Sequence, residues 1–330
     1  MKLLVTGAAG FIGSNFVRYI EKTHPDWELR VYDKITYAGN MQNFKDKDGS
    51  DHSPHLYQKD ICNYNDFIAA LIEFRPDNVI HFAAESHVDN SLLDPQIFLR
   101  TNILGTENIL RAVNEYNKTT TSKIQKIVHI STDEVYGTIE KGETAETHAF
   151  EPRSPYSVSK AAADMLCHAY YVSFGTPVSI IRGSNCYGPR QFPEKLIPLS
   201  LIKVFRGQKI SIYGQGTNMR EWIFAEDFAR GVEAVLLKGK LGQAYNLGGG
   251  KPNRVMNIEI ATQLLDLCKK LPAENIEFVK DRLGHDHRYA LDTTKIKNEL
   301  GWSPQFDLQT GLAETVKWYR ENEWWWQPLL

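Results

Sequence analysis

Three glycines place the strongest constraint on how this chain folds. Gly7, Gly10 and Gly13 form a G-x-x-G-x-x-G pattern directly behind the apolar run Leu3-Leu4-Val5-Thr6 and directly before an amphipathic stretch that starts at Phe11. In the order strand, glycine turn, helix, such a pattern lets the backbone turn tightly and approach a pyrophosphate at a helix N-terminus, whose free N–H groups favour an anion. A glycine triplet alone also serves ordinary turns; its position between strand and helix makes it informative. Asp33 closes the next apolar run, twenty residues after Gly13. A carboxylate there accepts hydrogen bonds from adenosine ribose hydroxyls and repels the additional phosphate of NADP, so the expected cofactor is NAD.

The first half of the chain continues the alternation. Apolar runs at residues 3–6, 29–33, 79–82, 127–131 and 178–182 read as strands, with helical patterns at 11–22, 66–74 and a long stretch over 95–116. The expected fold is α/β: a Rossmann-type, doubly wound parallel sheet. Beyond residue 183 the pattern turns irregular and rich in Gly, Pro and aromatics, which suggests a smaller mixed α/β substrate domain. The expected division is an NAD-binding domain over 1–182 and a substrate domain over 183–330. The boundary is soft, because a late strand or helix can return to the first sheet. A chain of 330 residues suits two closely joined domains. Residues 318–326, aromatic and acidic, read as a helix that lays its aromatic side on the core.

Composition excludes several classes. A net charge of -2 offers no basic field for nucleic acid. No apolar run is long enough to span a bilayer, and the N-terminal one is too short for a secretory signal. Cys62, Cys167, Cys186 and Cys268 show no paired spacing, which argues against a zinc site or disulfide framework and for a reducing cytoplasm. His285 and His287 have no cluster of further ligands around them, so no metal is expected.

Two further motifs carry chemistry. Tyr156 and Lys160 lie four apart and share one face of a helix. A free phenol has a pKa near ~10, too high for a base at neutral pH. The Lys160 ammonium and a positive nicotinamide ring are expected to lower it. Lys160 also suits the nicotinamide ribose. Tyr156 then takes a proton from a substrate hydroxyl while hydride leaves the same carbon. Lone Y-x-x-x-K patterns are common on helix surfaces; this one gains weight from Thr132, a hydroxyl at the end of the fifth apolar run. Asp133 and Glu134 follow it. Two carboxyl groups at one site can be tuned apart, one protonated and one ionised, which is the equipment for removing water.

Taken together, Thr6-Gly7-Ala8-Ala9-Gly10-Phe11-Ile12-Gly13, Asp33, Thr132, Tyr156 and Lys160 resemble the extended short-chain dehydrogenase/reductase family over essentially the whole chain. Most members modify the sugar of nucleotide sugars. Ser131-Thr132-Asp133-Glu134-Val135-Tyr136-Gly137 is similar to the signature of its 4,6-dehydratases. That resemblance implies oxidation at C4 by Tyr156 with NAD, loss of the C5 proton to Glu134, and protonation of the departing C6 hydroxyl by Asp133. Hydride then returns to C6 and leaves a 4-keto-6-deoxy sugar. The implied substrate is a nucleoside-diphosphate glucose, a thymidine nucleotide first, with UDP- and CDP-glucose open. A 4-epimerase or decarboxylase would leave Asp133 idle, and a non-catalytic NAD-binding sensor would have no need of the Tyr–Lys pair.

The resemblance also implies a fuller set of contacts. Beside the glycines, Asp33, Tyr156 and Lys160, the cofactor is expected to meet Phe11, Ile12, Lys34, Ile35, Thr36, Asp60, Ile61, Phe82, Ala83, Ala84, Glu85, Ser86, Thr101 and Cys186. The substrate is expected to meet Ser86, Thr132, Asn185, Glu194, Lys195, Leu196, Ser211, Ile212, Tyr213, Asn257, Asp281, Arg282, Leu283, Gly284 and His285, with the planar fork of Arg220 on a phosphate. The chain departs from the family pattern at Asn90 (usually Arg), Gly183 (usually Cys), Cys186 (usually Asn) and Leu283 (usually Pro). A homodimer is also implied, with the 95–116 helix and the Tyr156 helix forming a four-helix bundle with their copies.

Overall fold

The computed structural model describes residues 1–330. β1 (Lys2–Thr6) runs into the glycine turn and α1 (Phe11–Thr23), followed by β2 (Glu28–Asp33), β3 (His55–Gln58), α2 (Tyr64–Phe74) and β4 (Asn78–His81). Next come α3 (Val88–Leu93), α4 (Pro95–Phe98), a π-helical turn at Leu99–Leu104 and α5 (Gly105–Thr119). β5 (Lys126–Thr132), α6 (Pro155–Phe174) and β6 (Val178–Gly183) complete the first half. The stretch expected as one regular helix over 95–116 is therefore helical but carries an inserted π turn. A 3.6-residue period does not reveal such an insertion, and π turns gather at functional sites.

These strands build one parallel sheet, in the order β6-β5-β4-β1-β2-β3, which a strand from later in the chain extends beyond β6. Its buried side chains alternate by face, as a two-residue period requires. Leu3, Val5, Val31, Ile80, Val128 and Ile181 belong to one apolar core with the inner face of α1 and a later helix over Ala225–Lys238. Leu4, Tyr32, Val79, Ile127 and Ile180 pack with α2 and α5. Every residue of β5 is buried, as expected for a central strand covered by helices on both faces.

The second half adds β7 (Asn185–Tyr187), α7 (Leu196–Phe205), β8 (Ile210–Tyr213), β9 (Met219–Phe224), α8 (Ala225–Lys238) and β10 (Ala244–Leu247). After them come β11 (Arg254–Met256), α9 (Asn257–Leu267), α10 (Pro272–Asn275), β12 (Ile276–Val279), α11 (Thr294–Leu300), α12 (Leu308–Glu321) and α13 (Glu323–Trp326). β10 pairs with β6, and α8 packs on α1, so residues well past 183 close the first sheet. What stands apart is a three-stranded sheet β11-β9-β7, a two-stranded sheet β12-β8, and a core shared by α7, α9 and α12. Trp325 and Trp326 are buried in that core, the position expected for the aromatic tail.

β1 feeds β2 on one side and neighbours β4 on the other, so the strand order reverses between β1 and β4. Crevices at the carboxyl ends of strands at such a switch point bind ligands. Backbone contact holds this one together. Gly7, at φ 70°, is so close to β4's exit that a Cβ there would lie 2.3 Å from the Ala83 nitrogen. A Cβ on Gly13 would lie 2.5 Å from the Gly7 carbonyl oxygen and 2.7 Å from Ala8 Cα. Gly13→Ala must therefore displace backbone. A lowered urea midpoint is expected, by about 1–3 kcal/mol of overpacking, and an unchanged midpoint would contradict the close packing.

Candidate active site

Two adjoining chambers open at the carboxyl ends of the parallel strands. The first is lined by Gly7, Gly10, Phe11, Ile12, Gly13, Asp33, Lys34, Thr36, Asp60, Ile61, the segment Phe82 to Ser86, Thr101, Thr132, Asp133, Glu134, Tyr156, Lys160 and Cys186. The second is lined by Ser86, Glu134, Asn185, Glu194, Lys195, Leu196, Ser211, Ile212, Tyr213, Arg220, Asn257, Arg282 and His285. Ser86, Glu134, Asn185, Cys186, Glu194 and Lys195 border both, so the chambers form one continuous cleft.

Four of the expected residues do not line it. Ile35 sits behind the wall at φ 54°, with its N–H donated to Asp33 Oδ1 at 2.8 Å. Asp281 braces His285, Oδ1 to Nδ1 at 2.7 Å. Leu283 is 77% exposed, and Gly284 turns the loop at φ 64° against Arg153. Gly183 lies against the Phe228 ring, which a Cβ would meet at 2.5 Å, so the space of the family's usual cysteine is filled from the other side.

The first chamber suits a dinucleotide. α1 begins at Gly10 without a side-chain cap, leaving its leading N–H groups for a ligand. Asp33 is buried and pinned by N–H groups from both sides, Ala9 to Oδ2 at 2.9 Å and Ile35 to Oδ1. Burial pushes its pKa up and those two N–H bonds hold it down. Lys34 pairs with Asp60 at 2.8 Å on the rim. Ser131 Oγ and Ser184 Oγ, both on the wall, are buried without a protein partner, as ligand-facing hydroxyls are.

Between the chambers lies the reactive cluster. Thr132 ends β5; its Oγ1 accepts the Glu134 N–H at 3.3 Å and donates to Asp133 Oδ1 at 3.2 Å. Asp133 is buried, and its Oδ2 has no protein partner. Burial, then Glu134 and Glu221, drive its pKa well up, with Arg220 and the Thr132 hydrogen bond opposing. Burial also raises Glu134, but Arg282, Arg220 and Lys195 all pull it back. Glu134 thus faces three cations and Asp133 mainly carboxylates, which separates their proton affinities in the sense that keeps Asp133 protonated. Arg220 has no carboxylate partner. Its guanidinium donates to the carbonyls of Asp286 and Met219, at 2.8 Å each, and stacks on Tyr289, so its charge remains available to an anion in the second chamber.

Tyr156 and Lys160 share a face of α6, which starts at a Ser154 capping box with Pro155 in the first turn. The expected lowering of the Tyr156 pKa is not supplied by the protein alone. Burial and the charges of Glu134 and Asp133 raise it, opposed by a hydrogen bond with Thr132. Lys160 donates to the Ile130 carbonyl at 2.6 Å, and burial lowers its own pKa to about 8.

Sequence reasoning missed the residue that ties this cluster together. Asn102, in the π turn, accepts the Glu85 N–H at 2.8 Å and donates to the Glu85 carbonyl at 2.9 Å. It also donates to Ser159 Oγ at 2.8 Å, and Ser159 donates to the Tyr156 carbonyl at 2.7 Å. The loop behind β4 is thereby bolted to the helix carrying Tyr156 and Lys160. The only sequence signal was an asparagine in a stretch where the helical pattern calls for burial.

A family model described as GDP-mannose 4,6 dehydratase matches residues 4–315. A dTDP-glucose 4,6-dehydratase of Streptomyces griseus is 44% identical over 99% of this chain and 97% of its own length. A solved dTDP-glucose 4,6-dehydratase of Streptomyces venezuelae, with NAD and TYD bound, is 42% identical with a TM-score of 0.93, and each chain is covered in full. One from Bacillus anthracis in complex with NAD is 40% identical with a TM-score of 0.90, again with both chains fully covered.

Lys160 offers a direct check on the electrostatics. Unfolded, its pKa returns to the ordinary lysine value of 10.5; folded, it is near 8. Between those values the folded chain binds fewer protons than the unfolded one, so this group makes the fold more stable as pH rises from about 8 to about 10.5. In a lysine-selective NMR titration one ammonium, missing in Lys160→Met, is expected to titrate near 8. A midpoint near the unperturbed value would contradict its burial.

Proposed function

The chain belongs to the GDP-mannose 4,6 dehydratase family, and from that premise we infer that it converts dTDP-glucose to dTDP-4-keto-6-deoxyglucose and water. The observation that carries this reading is the adjacent pair Asp133 and Glu134, with different proton affinities, beside Thr132 and Tyr156 where the two chambers meet. The dehydratase relatives support the thymidine nucleotide.

NAD, when bound in the first chamber, supplies a hydride acceptor for C4, a hydride donor for C6 and a positive ring that offsets the raised proton affinity of Tyr156. The chain's own groups handle the protons. Tyr156 takes the proton of the C4 hydroxyl, with Lys160 supporting the phenolate. The resulting ketone acidifies C5, and Glu134, held toward ionisation by Arg220, Arg282 and Lys195, removes that proton. Asp133, protonated through burial beside other carboxylates, protonates the C6 hydroxyl as it leaves. Asn185, Glu194, Lys195 and Arg220 hold the sugar and diphosphate across the second chamber.

The purified protein is expected to turn dTDP-glucose into a product lighter by one water without net reduction of NAD. In Asp133→Asn, C4 oxidation persists, read as reduced-cofactor absorbance in a single turnover, while elimination falls by about 10²–10⁴-fold. Unchanged elimination in that variant would remove Asp133 from the role.

A second copy of the chain is the proposed partner. Val158, Met165 and Val172 recur every seven residues on α6, at 44%, 62% and 67% exposure, and Leu93, Ile97 and Leu104 are exposed on the neighbouring helices. An apolar stripe of this length on adjacent helices suits an isologous interface about a two-fold axis. Sedimentation is expected to give a dimer at micromolar concentration, and Met165→Glu a monomer; a monomeric wild type would contradict it. No helix is long and apolar enough to cross a membrane. The four cysteines are free, which supports a reducing compartment such as the cytoplasm.

A further inference from the structure

The dehydration assigned above, on which this inference rests, does not return its proton-bearing groups to their starting state. At the outset Tyr156 is a phenolate, Glu134 a carboxylate and Asp133 a carboxylic acid. The C4 O–H bond breaks and its proton passes to Tyr156 as C4 gives up hydride. The C5–H bond breaks and its proton passes to Glu134. The C6–O bond breaks, C5 and C6 become doubly bonded, and Asp133 gives its proton to the departing oxygen, which leaves as water. Hydride then reaches C6 and the Glu134 proton returns to C5. Hydride has gone out and back, and Glu134 is restored. Tyr156, however, ends protonated and Asp133 ends ionised. Each cycle therefore requires one proton to move from Tyr156 to Asp133, with no net exchange with solution.

We propose that the Thr132 hydroxyl carries this proton, taking it from Tyr156 at one side while giving its own to Asp133 Oδ1 at the other.

The donor pattern already points that way. Thr132 Oγ1 donates to Asp133 Oδ1 at 3.2 Å and accepts from the Glu134 N–H at 3.3 Å. A hydroxyl has one donor and two acceptor positions, so one acceptor position remains for Tyr156, which lines the same chamber wall as Thr132 and Asp133. Shifting both protons along Tyr156–Thr132–Asp133 yields phenolate, intact hydroxyl and carboxylic acid, which is the starting state. Direct exchange with bulk water is poorly placed to do the same, because Asp133 is 3% exposed, Thr132 8% and Tyr156 9%. Burial and the neighbouring carboxylates give ionised Asp133 a strong pull on a proton.

The test is rapid-quench kinetics of the holoenzyme with excess dTDP-glucose. Wild type is expected to form product without a burst. Thr132→Val keeps the shape and removes the hydroxyl. It should give a burst of one product per site and then a steady phase slower by about 10²-fold, with a solvent deuterium effect and acceleration by added imidazole confined to that later phase. Thr132→Ser, which retains the hydroxyl, should show no burst. Equal loss of the first and later turnovers in Thr132→Val, including loss of both altogether, or a burst in Thr132→Ser as large as in Thr132→Val, would overturn the relay. Absence of any dehydrated product from wild type would instead overturn the functional reading beneath it.

Discussion

The backbone-to-backbone approach of the first glycine turn to the exit of β4 governs the rest of the site. Gly7 donates its N–H to the Tyr32 carbonyl at the end of β2, and Phe82 donates to the Thr6 carbonyl at the end of β1. Three strand ends are thereby held at one level. Asp33 is consequently within reach of the Ala9 amide, and the Ala83 to Ser86 segment runs along the wall shared with the substrate chamber. Any side chain at Gly7 would force β1 and β4 apart, and the two halves of the cleft would lose their common reference. Asn102 extends the same frame to α6 and so to Tyr156 and Lys160.

Within that frame, electrostatics assign the work. Desolvation raises both adjacent carboxyl groups, so burial alone does not distinguish acid from base. The distinction comes from their neighbours. Glu134 faces the second chamber, where Arg220, Arg282 and Lys195 favour its ionised form. Asp133 lies deeper in the cleft wall, with Glu134 and Glu221 as its strongest charged neighbours. Two residues adjacent in sequence thus meet opposite fields because the 3-10 turn that follows β5 points successive side chains in different directions.

The sequence was most legible where backbone geometry demands a particular residue. The glycines, the acid at the end of β2 and the strand–helix alternation marked the parallel sheet and its carboxyl-end cleft, and the pair at 133–134 marked the kind of chemistry. It was least legible where tertiary context decides. The π turn at Leu99–Leu104 leaves no periodic trace. β10 is four residues long and looks like any short apolar run, yet it completes the first sheet. Ile35 reads as a cofactor contact by its place beside Asp33, but its left-handed backbone turns the N–H, not the side chain, to use. The Tyr156 proton affinity depends on summed burial and charge from segments distant in sequence, so the Tyr–Lys spacing alone suggested the wrong sign for the protein's own contribution.

The central claim is that one cleft removes a hydride from C4 and returns that same hydride to C6 of one sugar. The most direct measurement uses dTDP-glucose carrying deuterium at C4, mixed with unlabelled substrate, and follows the label by mass spectrometry and NMR. The account predicts deuterium at C6 of the 4-keto-6-deoxy product, with labelled and unlabelled molecules kept distinct. Deuterium lost to solvent, scattered between molecules or retained at C4 of an epimerised sugar would contradict it.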